Sequence, residues 1–153
     1  MTEFGKFVGG EQIVNKDNGN YIADIAVQEM PENQYLIVVS DNYWNKTKFM
    51  FANMDPKDMF VINLAIDESD AEQAIPACLK IQQLGHMKFA LIYETYIVEV
   101  NIDLEKENPV IYKRRVETPR IECTNVQSAV LNNKMYVSCC SDGWKLNVFD
   151  MQF

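Results

Sequence analysis

One histidine, His86, is all that 153 residues offer. A histidine-based metal cluster and a zinc-protease motif are therefore excluded. A serine or cysteine nucleophile would have only His86 as its base, and nothing beside it in sequence supports that pairing. No phosphate loop is present: Gly9-Gly10 lacks the following Lys-Ser/Thr and reads as a turn. No apolar run approaches the roughly 20 residues of a membrane helix. The opening residues, Met1-Thr2-Glu3-Phe4-Gly5, lack the basic and apolar regions of a secretory signal. Positive charge is scarce, 14 Lys and Arg against 22 Asp and Glu. A net charge of −8 argues against nucleic acid or an acidic membrane as nonspecific partners. Four cysteines in a chain of this length do not suggest a disulfide scaffold. Without a signal they read as reduced structural thiols in a cytoplasmic or nuclear protein. Acid pairs such as Asp67-Glu68 and Glu105/Glu107 fall in polar connections, where solvation is the expected role rather than acid–base chemistry. Neither an enzyme nor a cofactor is expected from this inventory.

What the chain does contain is short β-rich runs separated by turns. A first set lies at 21–28, 35–40, 47–52 and 59–66, a second at 77–83, 88–93, 96–102 and 109–116, and a third at 121–130, 135–140 and 145–150. Tyr35-Leu-Ile-Val-Val-Ser40 is nearly continuous in apolar residues, as expected of a strand covered on both faces. Pro31-Glu32-Asn33, Asp55-Pro56-Lys57, Gly85-His86, Asn132-Asn133 and Asp142-Gly143 supply turn chemistry. Pro76 argues against a continuous helix across the partly helical spacing of 68–84, so 68–75 is read as a loop. The first 20 residues hold at best one strand, near Glu11–Val14.

Three stretches then stack as a repeat: Tyr35-Leu-Ile-Val-Val-Ser-Asp41, Lys88-Phe-Ala-Leu-Ile-Tyr-Glu94 and Tyr136-Val-Ser-Cys-Cys-Ser-Asp142. Their final acids are 53 and then 48 residues apart, a period that suits four-stranded propeller blades. The stretch Tyr136-Val-Ser-Cys-Cys-Ser-Asp-Gly-Trp-Lys-Leu-Asn-Val-Phe-Asp150 resembles the second and third strands of a WD repeat, with Phe149-Asp150 where that family has Trp-Asp. Ala74-Ile-Pro-Ala-Cys78 and Tyr112-Lys-Arg-Arg-Val-Glu-Thr-Pro-Arg120 are similar in layout to the middle blades of the mRNA-export and spindle-checkpoint propellers. Those proteins bind short peptide motifs of nucleoporins and checkpoint kinases. The resemblance implies a single all-β domain over 1–153, with an N-terminal segment (1–20) and blade-like units at about 21–66, 77–116 and 121–153. Three units cannot close a ring, so an incomplete propeller is expected, with a closed β-barrel or β-sandwich as the alternative.

Two constellations are candidate partner-binding sites. Tyr43, Trp44, Tyr96 and Trp144 fall at the turns between second and third strands, which a blade arrangement places on one rim. Aromatics there either anchor a partner or pack between neighbouring units. Lys113, Arg114, Arg115 and Arg120 form the basic cluster, at an edge or strand end. It either holds an acidic or phosphorylated partner or pairs with the protein's own acids. The expected function is a protein-interaction module that binds a partner protein or peptide motif. The alternatives are a phosphate or lipid-headgroup binder and a subunit that completes a larger propeller. Self-association or completion by another chain is expected from the open ends.

Overall fold

Eleven strands and no helix form among the residues that the structure, a computed structural model, describes: 22–41, 45–66, 75–121, 125–140 and 144–151. The first sheet joins β1 (Ile22–Met30), β2 (Gln34–Asp41), β3 (Lys46–Asn53) and β4 (Phe60–Asn63) in chain order. The second joins β5 (Lys80–Gly85), β6 (Lys88–Ile92), β7 (Tyr96–Ile102) and β8 (Val110–Glu117). The third joins β9 (Val126–Leu131), β10 (Lys134–Cys140) and β11 (Trp144–Asp150). All neighbours are antiparallel. No barrel closes among the described residues. The fold is all-β, with three antiparallel sheets of three or four strands, an arrangement consistent with an incomplete propeller.

The connections explain the meander. Asn132 (φ 51°) and Asn133 (φ 58°) form the two-residue turn from β9 to β10, and asparagine tolerates this left-handed backbone better than most side chains. Between β1 and β2 the chain turns through Pro31, Glu32 (φ 63°) and Asn33 (φ 58°). The Asp142-Gly143 turn, the loop expected at 68–75 apart from Ile75, and the strand expected near Glu11–Val14 lie outside the described residues.

Because successive strand residues point to opposite faces, the burial pattern shows how the sheets stack. On one face of the second sheet, Phe89, Leu91, Val98, Val100 and Ile102 pack with Leu36, Val38 and Phe49 of the first. On the other, Ala90, Ile92 and Ile97 pack with Val126, Met135, Val137 and Cys139 of the third. The second sheet is thus covered on both sides, and β6 is buried from Phe89 to Ile92. Sheets follow one another in chain order, and their first strands, β1, β5 and β9, lie side by side. These strands are linked by polar side chains. Asp24 accepts from the Ile81 amide (2.7 Å) and pairs with Lys80 (3.3 Å). Gln28 accepts from Gln83 Nε2 (2.8 Å) and from the Met87 amide (2.9 Å). Ser128 donates to Gln82 (2.7 Å).

Residues 75–78 clamp the first sheet to the second. The Thr47 amide donates to the Ile75 carbonyl (2.7 Å), and the Thr47 and Tyr93 hydroxyls both donate to the Pro76 carbonyl (2.8 and 2.7 Å). Ser40 Oγ donates to the Cys78 carbonyl (2.7 Å) and accepts from the Cys78 amide (2.9 Å), imitating a ladder pair with a side chain. The strand expected at 77–83 therefore begins only at Lys80, because the first residues of that run spend their backbone groups on this clamp. One expectation fails at the cysteines. Cys78 is a free, buried thiol, whereas Cys139 is disulfide-bonded, so not all four are reduced.

Candidate interaction site

β8 is the edge strand of the second sheet and carries three of the four clustered cations, as their alternation requires. A bulge opposite Glu99 and Val100 leaves Lys113 without a cross-strand partner. The bulge divides the cluster. Arg114 stands opposite Glu99 on the face toward the third sheet, whereas Arg115 stands opposite Val98 on the face toward the first. Arg114 Nε donates to Glu99 (2.8 Å) with both side chains partly buried. Arg115 Nε donates to Glu117 (2.6 Å), which together with the charge of that carboxylate holds the guanidinium above its ordinary value, and Arg120 donates to Glu94 (2.6 Å). No ion pair among the described residues involves Lys113. Three of the four cations thus meet carboxylates of their own chain.

Of the four aromatics, Tyr43 and Trp44 lie outside the described residues, and Trp144 is placed as the first residue of β11 by its backbone alone. Tyr96 opens β7 and stacks on Tyr93 (centroids 4.5 Å apart, planes 17° from parallel). The Arg115 guanidinium carbon lies 3.7 Å above the Tyr96 ring. The resulting pile, Arg115 on Tyr96 on Tyr93, ends at the Pro76 carbonyl. Tyr96 is engaged on both ring faces, the packing role that its turn position left open. His86 is also engaged: its Nδ1 receives a hydrogen bond from Gln28 Nε2 (3.2 Å) across from β1.

Among the described residues, a surface feature with room for a partner lies elsewhere. Between the second and third sheets the outer strands diverge and leave a cleft of about 250 Å³. Ile97 and Val116 form one wall, Met135 and Phe149 the other, and the Glu99–Arg114 pair and Asp150 supply charge. Nothing in the sequence marks this space. Its walls come from β5 through β8, from β10 and β11, and from Met151, and each residue is an ordinary strand residue. Only Arg114 belongs to both the cleft and the expected site. Compared with known proteins, the chain matches no family model, no curated protein and no solved structure.

Proposed function

We propose that the chain is a protein-interaction module rather than an enzyme, a WD-repeat-like run of blades whose partner site is the cleft between the second and third sheets. The observation that carries this reading is the cleft itself: apolar walls, one fixed ion pair and an open mouth. Small-molecule pockets run to about 300–1,000 Å³, so a volume of about 250 Å³ suits one or two side chains of a peptide better than a cofactor or metabolite. The phosphate or headgroup reading has less support, because Arg114, Arg115 and Arg120 already face Glu99, Glu117 and Glu94.

The test is differential capture from a native extract. Val116→Asp places an unpaired carboxylate on the cleft wall and is expected to abolish recovery of partners that the unmodified protein retains. Arg115→Glu, on the opposite face of β8, is expected to retain them. Equal recovery by Val116→Asp, with an unchanged melting temperature, rules the cleft out. Loss confined to Arg115→Glu moves the site to the stacked aromatics and the basic cluster.

A further inference from the structure

Resting on the interaction reading above, we propose that the partner segment is an extended peptide that adds to the third sheet as its fourth strand, along the outer edge of β11. Its side chains would be apolar at alternate positions and basic between them.

The fold itself shows what covers such an edge. In the first sheet β4 lies along β3, and in the second β8 lies along β7. β11 is the third strand of its sheet, and among the described residues it is paired on one side only, with β10. Antiparallel ladders alternate pairs that bond to each other with pairs that point away. The Met151 amide donates to the Asn133 carbonyl (2.8 Å), which sets the phase: Phe149, Asn147 and Lys145 bond toward β10. The amides and carbonyls of Leu146 and Val148 therefore point outward, where no described strand meets them.

The cleft runs along that same edge. It touches Val148, Phe149, Asp150 and Met151 in succession. Phe149 lies on the face of β11 turned to the second sheet and Val148 and Asp150 on the opposite face, so the space, which sits between the sheets over Met135 and Phe149, also reaches the outer edge of the strand. A strand laid there would bond to Leu146 and Val148 through its backbone and drop every second side chain between Val116 and Phe149. This is how added strands divide affinity from specificity. Basic residues at the intervening positions follow from charge, because the chain carries −8.

The probe is an end-blocked peptide of alternating valine and lysine, added to the isotope-labelled full chain and followed by nuclear magnetic resonance. Shifts at Val116, Met135 and Phe149 are expected, together with at least about tenfold slower amide exchange at Leu146 and Val148. N-methylation of alternate peptide amides in one register is expected to weaken binding by about tenfold, and methylation in the other register to leave it unchanged. Cleft shifts without edge protection, or insensitivity to both methylation patterns, overturn strand addition and leave the cleft reading standing. Absence of shifts at both cleft and edge overturns both. Amides of Leu146 and Val148 that are protected before peptide is added mean that the edge is already occupied, and strand addition by a partner is then wrong.

Discussion

At the scale of single residues, charge placement decides more than charge count. Arg114 and Arg115 are neighbours in sequence, yet one pairs across a partly buried face and the other lies over an aromatic ring in solvent. Glu99→Gln removes the charge that compensates Arg114 and is expected to cost about 1–2 kcal/mol in urea unfolding, below the 3–5 kcal/mol seen for fully buried pairs. Arg115→Gln, tested in the same way, should leave the unfolding midpoint in place. Cys78 gives a second prediction. Burial pushes its thiol from 9.0 up to about 11. Between those values the unfolded chain gives up this proton and the folded chain keeps it, so stability is complete below pH 9 and declines as pH rises toward 11. The loss is on the order of 2–3 kcal/mol. Burial raises the Tyr93 phenol as well, which adds to the decline from about pH 10 upward. Chemical denaturation at a series of alkaline pH values measures both, and Cys78→Ser should flatten the first part of the slope. The same burial makes Cys78 a poor nucleophile, so thiol reagents should label it only after unfolding.

At the scale of elements, the strand pattern was largely legible in the sequence. The run from Tyr96 to Ile102 is a strand with the expected ends, and most other strands fall within a residue or two of their sequence boundaries. Unbroken apolar runs such as Phe89–Ile92 are legible because a strand covered on both faces has no polar side to show. The strand expected from 121 to 130 starts at Val126 instead, and Ile121 is buried against the second cluster without belonging to a strand. What could not be read was how elements meet. The bulge at Lys113 shifts the phase of β8 by one residue, and no local signal marks it. The cleft is made by divergence of two sheets, a property of their stacking and of no single segment. A turn supplies the testable case at this scale. Glu32 holds φ 63° with a side chain that has no local hydrogen-bonding advantage there. Glu32→Gly should therefore stabilise the protein by about 0.5–1 kcal/mol, and Glu32→Val should destabilise it, both read from thermal melts.

At the scale of the whole molecule, the stack formed by the described residues has two ends. On the outward face of the first sheet Val39, Met50 and Ala52 are buried, while Ile25 and Val27 on one edge strand and Val61 on the other are 47%, 52% and 38% exposed. The outward face of the third exposes Leu131, Leu146 and Val148 at 61%, 61% and 49%. Apolar patches of this kind mark interaction surfaces, and covering them yields about 25 cal/mol per Å². Concentration-dependent association is expected in sedimentation equilibrium, and Val27→Lys with Leu131→Lys should suppress it. A single monomeric species of the unmodified chain at all concentrations would make these faces plain solvent-facing surface. The order of the stack also has a consequence during synthesis. Sheets are packed in the order in which the ribosome makes them, so the first two can dock as soon as β8 has emerged. The side of β6 and β7 that carries Ala90, Ile92 and Ile97 then waits in the open until β10 follows. A nascent chain paused in that interval offers chaperones a bare apolar strand surface on an otherwise folded body, and crosslinking of stalled chains should find it occupied there and released once Cys139 is out of the exit tunnel.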